Sequence, residues 1–181
     1  YLLDEDYNKK MQLFVKELNK LYHKYDALYL NDYDVMGFEW MSCENADMSV
    51  VSFVRRGSSA KDQLLFLCNF TPVTREKMRF GVPCPGTYDM ILSSDEERFG
   101  GTHIENAKKA KAEKVACDGR DYSIEMNLPP LSVTVYRFDY QDEKELKAKE
   151  EKAAKATKAK EEISQKVSKG IKSLKGLNKT K

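Results

Sequence analysis

The chain has 181 residues, of which 41% are hydrophobic and 33% are charged. This length accommodates one compact domain with an attached segment rather than two full domains. The formal net charge of +2 is too small to imply a general attraction to nucleic acid or to a membrane surface. The charge is uneven: residues 141–181 carry 13 lysines and 7 acidic residues, whereas the first 140 positions carry 18 basic and 22 acidic residues. We therefore expect a mildly acidic globular part followed by a basic tail.

The start of the chain and its cysteines predict its context. The sequence opens with Tyr1-Leu2-Leu3, without an initiator methionine, a basic leader or a cleavage site, which favours a fragment of a longer protein. No apolar run approaches the roughly 18 residues that a membrane-spanning helix needs. The four cysteines form no C-x-x-C pair and there are only two histidines, so we expect neither a metal site nor a cofactor. Scattered thiols favour a reducing compartment, and we predict a cytoplasmic location.

Residues 1–30 form the first predicted unit, which contains an amphipathic helix. Its apolar side chains recur at the spacing of one helix face: Met11, Phe14, Val15, Leu18, Leu21, Tyr22 and Tyr25. An isolated helix of this length is marginal in water, so this face must pack on another element. Part of that packing partner is expected to lie outside the chain.

Residues 31–140 form the second predicted unit, which is rich in strands. The strand-like runs are 38–41, 48–55, 64–70, 87–92, 122–128 and 131–138, and turn residues separate them. The uninterrupted run from Leu64 to Leu67 predicts a strand near the middle of the core. Six short strands without helices between them predict a mainly β fold, an antiparallel β-sandwich.

Residues 141–181 form the third predicted unit, a tail of lysine, alanine and glutamate. Its first part has strong helix formers and almost no apolar stripe, so we predict a helical or disordered tail outside the sandwich. Apolar residues return at helical spacing from Ile163 to Leu177, among many lysines, which leaves open a contact with an anionic surface or a partner helix. The basic residues lack interleaved aromatics, so we predict no specific nucleic-acid site. The partner of the tail stays unknown at this stage.

The charged residues suggest no catalytic set. Asp95, Glu96 and Glu97 are adjacent, and three carboxylates in a row are typical of a solvated turn rather than of an acid/base pair. His103 follows two glycines in a predicted loop, and His23 lies within the predicted helix. We assign neither histidine a catalytic or metal-binding role.

Trp40 is the only tryptophan, and it stands where the helical segment gives way to strands. Large aromatic side chains dominate core and interface energetics, so one hypothesis is an anchor between two structural units. The other is a sugar-stacking platform, because an indole face suits the apolar C–H face of a glucose ring. The sequence leaves both open.

These segments together resemble the C-terminal portion of glycogen branching enzymes, which belong to the alpha-amylase superfamily. The resemblance covers about residues 1–138. It rests on the phrases FVKELNKLY (14–22), GFEW (37–40), SVVSFVRR (49–56), CNFTPV (68–73), GVP with PG (81–86), SD (94–95), FGG (99–101), GR (119–120) and LPPLS (128–132). The tail has no counterpart in the family pattern.

The resemblance implies a parent enzyme that transfers an α-1,4-glucan segment to a 6-hydroxyl, forming the α-1,6 branches of glycogen. Its carboxylates would act as in retaining glycosidases and would lie upstream of Tyr1, so no catalytic residue is carried over to this chain. Residues 1–30 would hold the last helix of a truncated (β/α)8 barrel, and the missing barrel and α-glucan would be the partners. We expect an accessory segment that is inactive alone, with Trp40 at a position that matches glucan-holding surface aromatics of the family. The alternative is a free-standing carbohydrate-binding module.

Overall fold

The computed structural model describes residues 1–43, 45–142 and 148. Within this part, one α-helix, α1, precedes eight strands. Their bounds are α1 Asp6–Lys24, β1 Phe38–Ser42, β2 Val50–Arg55, β3 Gln63–Asn69, β4 Arg75–Val82, β5 Thr87–Ser93, β6 Lys109–Lys111, β7 Tyr122–Leu128 and β8 Ser132–Phe138. The prediction made for the tail falls, apart from 141, 142 and 148, outside the described residues. Residues Tyr1–Gln141 form one compact unit, and Asp142–Lys181 form a second.

The strands form two antiparallel sheets. The large sheet has six strands in the order β1-β2-β3-β8-β5-β6, and the small sheet pairs β4 with β7. The main core lies between them, because its buried side chains come from both sheets: Val54, Leu65 and Tyr136 from the large sheet meet Phe80 and Ile124 from the small one. The prediction of a mainly β fold with antiparallel sheets is confirmed.

The leucine-rich run lies in β3, between β2 and β8 in the large sheet. Leu65 and Leu67 point into the main core, whereas Leu64 belongs to a second apolar cluster, against which Phe66 packs. Successive side chains of a strand point to opposite faces, so a strand buried on both faces needs no polar alternation. This explains why the run is uninterrupted, and it confirms the predicted central strand.

The second apolar cluster lies under α1. Phe14 and Leu21 of α1 pack against buried Tyr25, Leu92 and Val135. The ring of Phe14 also makes an edge contact with Phe99, at 5.0 Å between centroids. None of the residues of α1 is itself buried. The helix therefore covers part of the outer face of the large sheet and leaves much of its own apolar surface exposed.

Two strands differ from the sequence-based prediction. β4 begins with the charged residues Arg75, Glu76 and Lys77, and only its last residues, Phe80 to Val82, are buried. A register shift between Arg75 and Met78 breaks the alternation that would have marked the strand. β6 has three residues and pairs only with β5, as an edge strand whose alternation is too short to detect.

Candidate functional site

Trp40 lies at one end of a row of aromatic side chains on the outer face of the large sheet. Phe38 and Trp40 alternate along β1 with Glu39 and with Met41, which points into the main core. Trp40 is the cross-strand partner of Phe53, and Phe53 is the partner of Phe66. The three strands therefore align Trp40, Phe53 and Phe66 on one face, and we call these residues with Phe38 the aromatic row.

Ring contacts hold the aromatic row in place. Trp40 makes edge contacts with Phe38 and Phe53, at centroid distances of 4.9 and 5.8 Å, and the rings of Phe53 and Phe66 stack at 4.8 Å. Each such pair contributes about 0.5–1.5 kcal/mol beyond area burial. Trp40 is 50% exposed and Phe38 is 37% exposed, whereas Phe66 packs against the apolar cluster under α1. An indole fixed by its neighbours but open to solvent is a pre-organised flat surface.

Polar groups border the aromatic row on the side of Phe38. The guanidinium of Arg55, which is the cross-strand partner of Phe38, forms an ion pair with Asp32. Asn31 donates its amide to the carbonyl of Arg56 at 3.1 Å, which fixes the loop that carries Asp32. A Cβ at Gly37 would lie 2.2 Å from the carbonyl oxygen of Asn31, so this close approach requires glycine. This polar border was not predicted from the sequence, because Asp32 and Arg55 are far apart in the chain.

Glu39 points away from the aromatic row and joins distant segments. Its carboxylate forms ion pairs with Arg56 and with Arg120, the latter at 2.6 Å. The guanidinium of Arg56 also lies over the ring of Tyr140, 4.7 Å from its centroid. Burial raises the pKa of Glu39, but the hydrogen bonds and charges of Arg56 and Arg120 outweigh this and hold its pKa below the usual value. Glu39 therefore stays ionised and fixes the strand that carries Trp40.

Asp95 corrects one expectation from the sequence. The predicted solvated turn is wrong for this residue, which is only 6% exposed. Its carboxylate accepts hydrogen bonds from the backbone N–H of Thr102 and of Ile104, both at 2.8 Å, and from the Thr102 hydroxyl. Gly101 packs so closely that a Cβ there would lie 2.2 Å from the backbone of Asp95. Asp95 thus organises the loop that follows it, and its lone pairs are used in structural hydrogen bonds.

A family model for the alpha amylase C-terminal all-beta domain matches residues 40–139. The match runs from Trp40 to Asp139 and so contains nearly every strand described above. This chain belongs to that family.

Curated relatives of this all-beta domain are larger enzymes. The 1,4-alpha-glucan branching enzyme GlgB of Butyrivibrio fibrisolvens is 44% identical over 138 residues, which are 76% of this chain and 22% of that enzyme. The enzyme of the same name from Pseudoalteromonas atlantica is 39% identical over 132 residues, which are 73% of this chain and 18% of that enzyme. The chain thus spans about a fifth of the length of the curated relatives it matches. The predicted resemblance to branching enzymes is confirmed.

The similarity of this chain to solved structures is weaker than its sequence similarity to the curated relatives. A solved structure of a trehalulose synthase mutant superimposes with a TM-score of 0.42 and 19% identity, covering 68% of this chain and 17% of that one.

The remaining candidate residues from the sequence lie apart from the aromatic row. Within the described residues, no cluster of three or more metal-ligating side chains occurs, and no helix is long and apolar enough to cross a membrane. His23 is exposed and contacts the ring of Tyr22 edge-on, and the backbone of His103 donates to the carbonyl of Asp95. Cys68 is buried, as predicted, and burial raises the pKa of its thiol to about 11.

Proposed function

We propose that this chain is the accessory C-terminal part of a 1,4-alpha-glucan branching enzyme, in which it contacts the glucan and supports a catalytic barrel. The observation that carries this proposal is the identity of up to 44% over 138 residues with enzymes of that name. The parent enzyme would transfer an α-1,4-glucan segment to a 6-hydroxyl. In a retaining mechanism one carboxylate attacks the sugar and another acts as acid and base, and we assign neither role to residues of this chain.

Trp40 is the residue that we propose as the glucan contact. Its indole is half exposed and held by Phe38 and Phe53, and the ion pair of Asp32 and Arg55 stands beside Phe38. Sugar rings combine apolar C–H faces with hydroxyl rims, so an aromatic platform with charged hydrogen-bonding neighbours suits them.

The exposed apolar side chains around α1 support packing of this helix against the rest of the barrel. Met11, Val15 and Tyr22 of α1 are 62%, 46% and 49% exposed, and Leu30, Val35 and Met36 in the following loop are exposed as well. Contiguous exposed apolar surface of this kind marks an interaction site. In this proposal α1 is the last helix of the barrel, residues 31–140 are the sandwich, and residues 141–181 are an extension of this particular protein. The free thiols of all four cysteines support a cytoplasmic location.

A chimera tests the assignment to branching enzymes. Residues 1–138 of this chain would replace the matching 138-residue segment of the Butyrivibrio fibrisolvens enzyme, and branch formation on amylose would be measured. We expect the chimera to fold and to form α-1,6 branches, whereas the 181-residue chain alone forms none. Branch formation by the chain alone, or an inactive chimera that folds, would contradict the proposal. Replacement of Val15 by Glu in the chimera should lower its stability if α1 docks on the barrel.

A tryptophan substitution tests the glucan contact. Replacing Trp40 by Ala removes the platform and should raise the dissociation constant for glycogen about tenfold, measured by affinity electrophoresis of the full chain. Phe70 is an exposed aromatic residue outside the aromatic row, so Phe70→Ala is the matched control and should bind as the unmodified chain does. Equal loss of binding in both variants would argue against a specific role for Trp40.

A free-standing carbohydrate-binding module is the second candidate function. It is favoured by the compact unit of residues Tyr1–Gln141, which has its own core and an exposed tryptophan. Both candidates predict glycogen binding, but only the first predicts an active chimera.

A further inference from the structure

One side of α1 carries an apolar stripe that the rest of the described chain leaves uncovered. Met11, Val15, Leu18 and Tyr22 follow one another at intervals of four, three and four residues, and we call these four residues the apolar stripe. Their exposed fractions are 62%, 46%, 38% and 49%, although another side of the same helix packs on the large sheet. Alternation of three and four residues is the spacing with which one helix packs along another. The apolar stripe therefore has the pattern of a helix-pairing surface.

A groove lies beside the apolar stripe, between α1 and the outer face of the large sheet. It has a volume of about 450 Å³, and its walls include Leu18 and Tyr22 of α1 and Val133 of β8. Asn19 and Ser94 add two uncharged polar groups to the walls. Protein interiors leave few voids larger than a water molecule, so a groove of this size has room for side chains of a packing partner.

Large side chains of the kind that fills such a groove protrude from the first half of α1. Tyr7 and Met11 are 80% and 62% exposed, whereas the groove lies beside the second half, at Leu18 and Tyr22. A two-fold axis midway between Val15 and Leu18 sets two helices antiparallel and places the first half of each against the second half of the other. Met11 and Tyr22 lie at equal distances from this axis. The surface is therefore self-complementary, as the interface of a two-fold dimer must be.

The charges on α1 permit this pairing. Asn8, Gln12 and Asn19 flank the apolar stripe and are uncharged, whereas Lys16 and Lys20 lie on another side of the helix. Like charges beside the stripe would repel each other between two identical helices. Two copies of α1 therefore meet without such repulsion.

The exposed area is of the size that a stable dimer buries. The apolar surface continues into the loop after α1, where the ring of Tyr29 lies 5.2 Å from that of Tyr22 and where Leu30 is 52% exposed. Tyr7, the apolar stripe and these two loop residues together expose an area on the order of 800 Å², which is what a standard interface buries on each partner. Monomeric soluble proteins rarely leave so large an apolar patch open to water.

We propose that the 181-residue chain forms a two-fold dimer through α1. The two helices pack antiparallel along their apolar stripes, and Tyr7 and Met11 of each copy enter the groove of the other. In the proposed parent enzyme the barrel would cover the same face. The dimer is thus a property of the chain by itself and does not rest on the proposed function.

Sedimentation equilibrium of the full chain tests the dimer. We expect the mass of two chains, falling toward that of one on dilution. Val15→Glu places two carboxylates beside the two-fold axis and should raise the dissociation constant of the dimer at least about a hundredfold, because burying an unpaired charge is costly. Val73→Glu is the matched control and should leave the dissociation constant unchanged, since Val73 is 50% exposed and lies outside α1.

Far-UV circular dichroism shows whether the variants keep the native fold. If Val15→Glu lowers the helical signal, Met11→Glu repeats the test at the most exposed position of the apolar stripe, with the same expected weakening of the dimer.

Cysteine cross-linking tests the orientation of the two helices. In the antiparallel pairing Val15 of one copy lies beside Leu18 of the other. A mixture of Val15→Cys and Leu18→Cys chains, with oxidised glutathione as the oxidant, should therefore form mixed disulfide dimers. The unmodified chain, in which Cys43 is exposed, gives the background.

The outcomes decide the proposal separately from the proposed function. A chain that stays monomeric throughout the micromolar range, or a dimer that Val15→Glu and Val73→Glu weaken equally, would overturn the dimer. Cross-links between two Val15→Cys chains in preference to mixed ones would overturn the antiparallel arrangement. Branch formation by the chimera with the Butyrivibrio fibrisolvens enzyme depends on the proposed function alone, so an active chimera together with a monomeric chain would reject only the dimer.

Discussion

Single residues of this domain act mainly by fixing strands and loops. Glu39 is an example, because its two arginine partners come from positions 56 and 120 and join β1 to segments far along the chain. Asp95 does the same for the loop that follows it. In both cases the carboxylate oxygens form structural ion pairs or hydrogen bonds, although an acidic residue is also a candidate for a catalytic role.

The pKa of Glu39 gives a pH-dependent prediction. A carboxyl group whose pKa is lowered on folding stabilises the fold above its unfolded pKa, near 4.5, and loses this contribution as the pH falls through the lower folded pKa. We expect Glu39→Gln to lower the free energy of unfolding by about 1–2 kcal/mol at pH 7. The difference from the unmodified chain should shrink below pH 4, measured by urea unfolding at several pH values.

The matched control for Glu39 is Glu113, which forms a more exposed ion pair with Arg79. Exposed ion pairs contribute little, so Glu113→Gln should change the stability by less than about 0.5 kcal/mol. Equal effects of the two substitutions would show that the lower exposure of Glu39 and its second arginine partner do not matter.

At the scale of elements, hydrogen bonds from buried side chains hold one turn against another. Asn69 at the end of β3 is the clearest case. Its amide nitrogen donates to the carbonyls of Val73 and Pro129, both at 2.8 Å, and its oxygen accepts from the backbone and hydroxyl of Thr71. Asn69 is buried, so Asn69-Phe70-Thr71, which has the Asn-x-Thr pattern of a glycosylation acceptor, cannot carry a glycan in this fold.

Replacement of Asn69 therefore tests how the turns are held. Asn69→Ala leaves two carbonyls and one N–H without their partner, and we expect a loss of about 2–4 kcal/mol in thermal or urea unfolding. Asn106 also bonds to backbone, but it is less buried, and Asn106→Ala should cost less. A neutral Asn69→Ala variant would contradict this account of the turns.

The elements that could be predicted from sequence are those with a regular apolar period. The apolar face of α1, the alternation in β7 and β8 and the buried run in β3 all depend on burial that repeats along the chain. β4 and β6 could not be found in this way, since the first contains a bulge and the second has three residues. The partners of Glu39 and the polar border of the aromatic row depend on contacts between distant positions, which periodicity does not reveal.

At the scale of the whole molecule, the described unit is a sandwich with one helix on its outer face. Its exposed apolar side chains cluster on α1 and the loop after it, whereas the aromatic row continues on the same side of the large sheet. This distribution supports the proposal that the domain packs against a catalytic barrel. In that proposal a glucan at Trp40 would lie on the side of the sheet that faces the barrel.

The measurement that tests the glucan-contact proposal most directly is the tryptophan fluorescence of the full chain during titration with maltoheptaose. Trp40 is the only tryptophan, so the signal reports on this one residue. The account predicts a saturable change, because a sugar ring that stacks on the indole replaces water at its exposed face. A titration with maltoheptaose that leaves the fluorescence unchanged would contradict it.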